Sequence, residues 1–151
     1  MLTTWQKLIN GQYEAALCML SRCIDQCPES DWDAPVVDLK FCQVALHVLF
    51  FTDFYLESTE DTIRDQDFHG ENLDAFRDYE ELEDRPQQLL YKRPFLKDYV
   101  QHCRAKSSRV VSNETEQTLT ARCGFSRRDC SRAELHVLNI RHIQHHTAQL
   151  S

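Results

Sequence analysis

The sequence is poor in the residues that interrupt helices and make turns, since its 151 residues include three glycines and four prolines. A β-sandwich or β-barrel, whose many short strands are joined by turns, is therefore disfavoured. No apolar run approaches the roughly 18 residues that a transmembrane helix needs, so we expect no membrane span. The amino terminus has no basic stretch followed by an apolar one, and we expect no secretory signal.

Several motifs of known chemistry are absent as well. The sequence has no C-x-x-C, no glycine-rich phosphate loop and no G-x-S-x-G. Its seven cysteines are an odd number without a secretory signal, which indicates reduced thiols in a cytoplasmic protein. Cys23 and Cys27 are four residues apart but have no second pair at zinc-finger spacing. We therefore expect them to be small buried side chains rather than ligands of a structural zinc ion.

Charge is present in quantity and is unevenly distributed. Seventeen Lys and Arg oppose twenty-four Asp and Glu, a formal net charge of −7, and residues 57–84 hold twelve of the acids against two bases. An acidic balance argues against a dedicated nucleic-acid-binding protein, whose affinity depends on a basic surface. The basic carboxyl-terminal half has its charge spread over predicted helices, where a solvated surface is the usual meaning.

Four segments have apolar residues at helical spacing. They cover Thr4 to Gln26, the residues after Asp33-Ala34-Pro35 up to Leu56, Pro94 to Ser112, and Ser131 to the carboxyl terminus. Ser131-Arg132-Ala133-Glu134 matches a capping box, and Asp33 or Asp38 would suit the positive N-terminus of the second helix. Because no alternating run of strand length competes with these segments, we predict an all-α fold and a single domain over residues 1–151.

The connections between these helices differ in length. A short turn joins the first two, whereas about 35 residues separate the second from the third. A connection of that length is typical of a functional lid or a crossover, and it allows the third helix to run parallel to the second. We expect a short helix at about Leu73 to Leu82 within it. A single helical turn near Glu116 to Ala121 is expected before the last helix.

The last helix contains a pair of histidines, His142 and His146, that are one turn apart. At about 100° per residue they fall within about 40° of each other, so their rings project to the same side and can bind one ion. The segment reads His-Ile-Gln-His-His, without the glutamate that follows the first histidine in zincins. His136 falls off this face, and we expect it at the surface.

A metal ion needs a third protein ligand, and His47 on the second helix is the candidate. A lone histidine among apolar residues such as Val44, Phe50 and Phe51 is more often a hydrogen-bonded core residue. The histidine pair on another helix favours a ligand here, because three buried imidazoles without a shared partner would leave nitrogens unsatisfied. We expect Asp53, on the same helix, to point away from this site.

A site of three histidines and water leaves a coordination position open, which is typical of catalytic rather than structural metal centres. Imidazole-rich sites accept zinc, nickel, iron or manganese, and the sequence does not identify which of these metals is bound. Gln149 and Asn139 lie one turn from the pair, and either could hydrogen-bond a ligand or be a polar residue at a wet helix end. Three hypotheses stay open: a metalloenzyme, a non-catalytic metal-binding module, and a bundle whose histidines are polar core residues.

The residues around these histidines are similar to a known family. Asn139-x-Arg141-His142-x-Gln144-His145-His146-x-Ala148-Gln149-Leu150 resembles the last helix of the DinB/YfiT-like family, and Phe41 to Leu56 resembles its second helix with a single histidine. Gly11 to Ala16 and Leu96 to Arg104 are similar to its first and third helices. The resemblance spans nearly the whole chain, and the spaced histidines are its specific part.

The resemblance implies a four-helix bundle of up-down-down-up topology and a divalent metal held by His47, His142 and His146, with His145 outside the ligand set. It also implies a metal-dependent enzyme of the hydrolase or low-molecular-weight-thiol transferase type, or a non-catalytic, stress-related metal-binding bundle. A small-molecule substrate, with a thiol as possible cosubstrate, and a homodimer are the expected partners, and no nucleic acid or membrane is expected.

Overall fold

The computed structural model describes residues 1–78 and 87–151, and within them the chain is mostly helical. The α-helices are α1 (Leu2–Gln26), α2 (Phe41–Leu56), α3 (Asp67–Glu71), α4 (Leu73–Asp78), α5 (Arg93–Asn113), α6 (Glu116–Thr120) and α7 (Arg132–Gln149). Two 3-10 helices, Glu29–Asp31 and Thr62–Asp65, and a hairpin of strands β1 (Pro35–Val36) and β2 (Leu39–Lys40) complete the described elements. The prediction of an all-α fold is confirmed.

The four long helices enclose one hydrophobic core. Helix α1 packs against α5 and α7, and α2 packs against the same two helices from the other side. Fully buried side chains from all four fill the space between them, among them Leu17, Leu20, Leu46, Leu49, Leu96, Tyr99, Leu135 and Ile143. In the described part of the chain, no helix combines the length and the apolar character that crossing a membrane requires.

Helix α2 begins later than the sequence predicts. The residues after Pro35 form an antiparallel hairpin in which Pro35 is opposite Lys40, and the helix starts at Phe41. The Gln43 side chain accepts a hydrogen bond from the Lys40 backbone N–H at 3.0 Å, which satisfies a donor at the helix start. Asp33 and Asp38 therefore lie before the helix N-terminus, and the expectation that one of them occupies it is wrong.

The other boundaries agree with the sequence. Helices α1 and α5 match their predicted segments to within two residues, α6 occupies the expected turn, and the Ser131–Glu134 capping box starts α7. In the long connection, α4 covers the first part of the predicted Leu73 to Leu82 helix, and residues 79–82 lie outside the described residues.

The described part of the long connection includes α3 and α4, and α3 lies against α5. Phe68 of α3 stacks on Tyr99 at 4.9 Å and on His102 at 4.4 Å between ring centroids. Phe76 of α4 in turn stacks on His69 of α3 at 3.9 Å. These aromatic contacts tie α3 and α4 to the bundle as part of its packed structure.

Candidate metal centre

The packing of α2 against α7 brings the three predicted ligands together. His47 lies in the middle of α2, and its ring centroid is 5.1 Å from that of His142 and 4.6 Å from that of His146 on α7. The centroids of His142 and His146 are 4.6 Å apart, as expected for residues one helical turn apart on the same face. The three histidines therefore form one cluster, as the sequence predicts.

The donor atoms of this cluster are close enough to share an ion. One nitrogen from each ring lies within 4.8 Å of the other two, and the Nε2 atoms of His47 and His142 are 3.2 Å apart. A tetrahedral zinc ion, with Zn–N bonds of about 2.0–2.1 Å, separates two ligand nitrogens by about 3.3 Å. The three nitrogens are close to this spacing, so His47, His142 and His146 could hold a metal.

The surroundings keep the His142 imidazole neutral. Burial first, and then the charges of His47 and His146, lower the pKa of His142 to about 3. The neutral ring is the form with a free lone pair for a metal. Its Nδ1 is buried and has no hydrogen-bond partner in the described part of the chain.

The two predicted supporting residues have different hydrogen-bond partners. Gln149 Oε1 lies 2.7 Å from His146 Nδ1 and accepts its proton, which fixes the tautomer that presents Nε2 as a ligand atom. Asn139 instead is fully buried and donates to the Thr52 carbonyl oxygen at 2.9 Å. This hydrogen bond ties α7 to α2. His145 is exposed and is not one of the three clustered histidines.

A cavity of about 600 Å³ opens beside the three histidines. This volume lies within the range of small-molecule sites in proteins, about 300 to 1,000 Å³. Apart from the histidines, its wall consists of aromatic side chains and a polar rim, namely Phe51, Phe54, Tyr55, Phe125, Glu60, Asp61, Ser126, Arg127 and Arg128. A ligand in this cavity would be in reach of a metal held by the cluster.

The segment between α6 and α7 supplies much of this wall, and sequence reasoning did not find it. Phe125 packs edge-on against Phe54, with 5.0 Å between ring centroids, and Arg128 donates to the Tyr55 hydroxyl at 2.6 Å. Ser126 donates to Glu60 from its backbone N–H at 3.2 Å and from its hydroxyl at 3.1 Å. An isolated phenylalanine followed by two arginines in an otherwise polar linker was the available signal.

His136 is buried, so the expectation that it lies at the surface is wrong. It is 1% exposed, and its ring nitrogens lie 3.0 Å from the Tyr13 hydroxyl and 3.0 Å from Glu114 Oε1. Helix α7 packs against α1 as well as α2, so it buries two faces. Burial would raise the pKa of Glu114, but hydrogen bonds from His136, Thr118 and Arg132 outweigh it and lower the pKa to about 2.

Asp53 points away from the metal candidate, as predicted, into a second buried polar cluster. It is fully buried and accepts hydrogen bonds from the Tyr99 hydroxyl at 2.9 Å, from Gln66 at 3.2 Å and from Lys106. Burial alone would raise the pKa of Asp53. The hydrogen bond from His102 and the charge of Lys106 outweigh it and lower the pKa to about 2.

His69 belongs to the same cluster, because its Nδ1 lies 3.9 Å from Asp53 Oδ2. We expect this histidine to make the folded protein less stable in mild acid. Burial lowers the pKa of His69 from its usual 6.5 to about 4. Between pH 6.5 and about 4, the unfolded chain binds a proton at this histidine and the folded chain does not. The contribution of His69 to the free energy of unfolding is therefore fully present above pH 6.5 and is lost as the pH falls to about 4. We expect His69 to account for about 2 to 3 kcal/mol of that loss.

Urea unfolding at neutral pH and near pH 4, in wild type and His69→Phe, measures this contribution. Phenylalanine keeps the ring that stacks on Phe76 and removes the titrating group. The acid-induced loss should be smaller in His69→Phe by the stated amount, whereas the exposed His145→Phe should behave as wild type. Equal losses in wild type and His69→Phe would contradict the prediction.

Comparison of the chain with protein-family models, with curated proteins and with solved structures finds no match. Its function must therefore be argued from the site: three imidazoles from α2 and α7, close enough to share an ion, beside an aromatic cavity.

Proposed function

We propose that this protein is a DinB-like four-helix bundle that binds one divalent metal ion through His47, His142 and His146 and acts as a metal-dependent enzyme. One observation carries the proposal: nitrogen atoms of the three rings lie within 4.8 Å of one another at the wall of a cavity of about 600 Å³. The pairwise packing of the four long helices supports the bundle, and the histidine spacing supports the family.

The donor set fits a borderline metal ion with an open coordination position. Three imidazoles are the protein ligands of several catalytic zinc sites, and they also accept nickel, iron or manganese. His142 is half-buried and neutral, and His146 donates its Nδ1–H to Gln149 Oε1, so both rings can offer a nitrogen lone pair without a competing proton. When bound, the metal would supply Lewis acidity and lower the pKa of a water or thiol next to it.

The residues of the cavity have separate tasks in such an enzyme. Phe51, Phe54 and Phe125 exclude water from one side of a bound substrate, which strengthens electrostatic interactions inside the site. Arg128, held against the Tyr55 ring and hydroxyl, orients an anionic or polar group of the substrate. Hydrolysis, or transfer of a low-molecular-weight thiol, are the reactions that we propose for this arrangement.

Metal binding tests the proposal directly. Chelated protein is titrated in turn with Zn²⁺, Ni²⁺, Fe²⁺ and Mn²⁺, and bound metal is measured by calorimetry and elemental mass spectrometry. We expect one ion per chain in wild type and in the exposed-histidine control His145→Ala, and a loss of affinity of at least about tenfold in His142→Ala and His146→Gln. Circular dichroism checks that each variant folds. Negligible metal in wild type, or equal affinity in all variants, would overturn the proposal.

A second candidate is the non-catalytic metal-binding module. The observation that favours it is that the three ligands come from two different helices, so a bound ion would cross-link α2 to α7 and stabilise the fold. Activity separates the candidates. If the protein is an enzyme, its metal-loaded form should hydrolyse members of an electrophile panel or transfer a low-molecular-weight thiol to them, and the His142→Ala variant should do neither. Bound metal with a raised melting temperature and no turnover would favour the module.

A further inference from the structure

The segment between α6 and α7 returns on itself and places two cysteines opposite each other. Arg122 and Ser131 form an isolated antiparallel bridge, flanked by backbone hydrogen bonds from Cys123 N–H to Cys130 O at 3.1 Å and from Arg132 N–H to Ala121 O at 2.9 Å. Cys123 and Cys130 are the next pair along this ladder.

The two sulfur atoms are already in contact, with 3.8 Å between Sγ atoms. Residues directly opposite in a hydrogen-bonded antiparallel pair have Cα atoms about 5.5 Å apart. Disulfides span Cα separations of about 4.4 to 6.8 Å, so a cross-strand pair at this spacing is compatible with a disulfide.

The two cysteines differ in burial, because Cys130 is partly exposed to solvent and Cys123 is buried. Cys130 is half-buried, whereas Cys123 is 2% exposed and its Sγ lies 3.7 Å from the Arg128 carbonyl oxygen. An oxidant can therefore reach Cys130 first, with Cys123 in place to react next. Cys23 and Cys27, which are one helical turn apart, instead have their sulfurs near Ser151 and Pro28.

We propose that Cys123 and Cys130 are a redox-active dithiol that a hydroperoxide converts into a disulfide. The Cys130 sulfur takes one oxygen from the peroxide, which leaves as an alcohol or as water, and becomes a sulfenic acid. The Cys123 sulfur then attacks the Cys130 sulfur, and the sulfenic oxygen leaves as water. Two thiols lose two electrons and two protons in total, and the O–O bond of the peroxide accepts them.

The disulfide would act on the cavity, because Cys123 and Cys130 enclose the residues that form its wall. Phe125, Ser126, Arg127 and Arg128 all lie between the two cysteines and line the cavity beside the histidines. The bond would close this segment into a covalent ring and reduce its freedom to move away from the site. Oxidation of the pair is independent of metal binding, so its test does not depend on the proposed function.

Peptide mapping after peroxide treatment tests the proposal. Trypsin cleaves after Arg122, Arg127, Arg128 and Arg132, so the two cysteines fall in separate peptides, residues 123–127 and 129–132. Burial and the neighbouring Cys123 raise the pKa of the Cys130 thiol, so the reaction is run in mildly alkaline buffer. The expected product is a linked pair of these peptides, lighter by two hydrogens and separated by a thiol reductant.

Two variants make the result decisive. Cys23→Ser with Cys27→Ser should form the linked peptides as wild type does, and Cys130→Ser should form none. In wild type we expect the Cys123 and Cys130 thiols to disappear at least about tenfold faster than those of Cys23 and Cys27, because their sulfurs are in contact. Absence of the linked pair, over-oxidation of Cys130 alone, or linkage of Cys130 to another cysteine would each overturn the proposal.

Discussion

Replacing Lys106 by methionine is expected to lower the free energy of unfolding by about 3 to 5 kcal/mol. Lys106 is 4% exposed on α5, and its ammonium group donates to the carboxylates of Asp53 and Glu57 and, at 2.9 Å, to Gln66 Oε1. Methionine fills a similar volume but removes the ammonium group from the fully buried Asp53 carboxylate. Removal of one partner of a buried ion pair is costly because the remaining charge has lost both water and its counter-ion.

Lys97→Met is the matched control on the same helix. Lys97 pairs with Asp25 at 2.8 Å, but both side chains are about half exposed, so its loss should cost less than about 1 kcal/mol. Urea unfolding of both variants gives the comparison. In the Lys106→Met background, Asp53→Asn should cost less than it does in wild type, since it removes the uncompensated charge. Similar costs for Lys106→Met and Lys97→Met would contradict a buried, energetically important pair.

The histidine cluster could be predicted from the sequence because it depends on two simple rules. His142 and His146 share a face through helical periodicity alone. The prediction that His47 joins them required only that the apolar stripe of the second helix packs against that face. Helix α2 does pack against α7. The cavity beside it was not predicted, since Phe125 and Arg128 reach it from an irregular segment that has no periodicity to reveal its direction.

The buried polar clusters were not predictable for a related reason. His136 lies between Tyr13 and Glu114, which are 123 and 22 residues away in the chain, and only the assembled bundle brings them together. A helix with one apolar stripe suggests one buried face, but α1 covers α7 on a second face. There His136 pairs with Tyr13 of α1 and with Glu114, which follows α5. Lys106 is similar, because its charge marks it as exposed until Asp53 and Glu57 are placed around it.

The start of α2 was misplaced because local propensity does not distinguish a short hairpin from a first helical turn. Val36, Val37 and Leu39 suit either structure, and the aspartates nearby resemble caps. The Lys40 backbone and the Gln43 side chain determine the start instead. The shift leaves the position of His47 on the helix unchanged, so the prediction of the cluster was unaffected by it.

Replacing Arg132 by methionine is expected to destabilise the protein by about 3 to 5 kcal/mol as well, and to do so at the junction that positions the histidines. Arg132, at the start of α7, is 8% exposed and donates to Glu114 at 2.9 Å. It also donates to three carbonyl oxygens at the end of α2, those of Tyr55 at 3.0 Å, Leu56 at 3.0 Å and Glu57 at 2.7 Å.

These bonds explain why the loss should be large. The last carbonyls of a helix have no partner within the helix, and the helix dipole favours a cation there, so Arg132 satisfies both needs of α2. Methionine would leave the carbonyls unpaired and remove one cation from the buried Glu114 carboxylate. Since α2 carries His47 and α7 carries His142 and His146, the same change should also weaken metal binding, with all three ligands still present.

Chemical unfolding and metal titration of Arg132→Met together separate this account from simple loss of structure. Arg122→Met is the control, because Arg122 is exposed and pairs with the exposed Asp129 at 3.8 Å. Its loss should cost less than about 1 kcal/mol and leave metal affinity unchanged. For Arg132→Met we expect reduced stability and reduced affinity in a protein of wild-type helicity. If the metal affinity were unchanged while the free energy of unfolding fell, the core packing of α2 and α7 alone would hold the metal ligands in place. The prediction that Arg132 positions them would then be wrong.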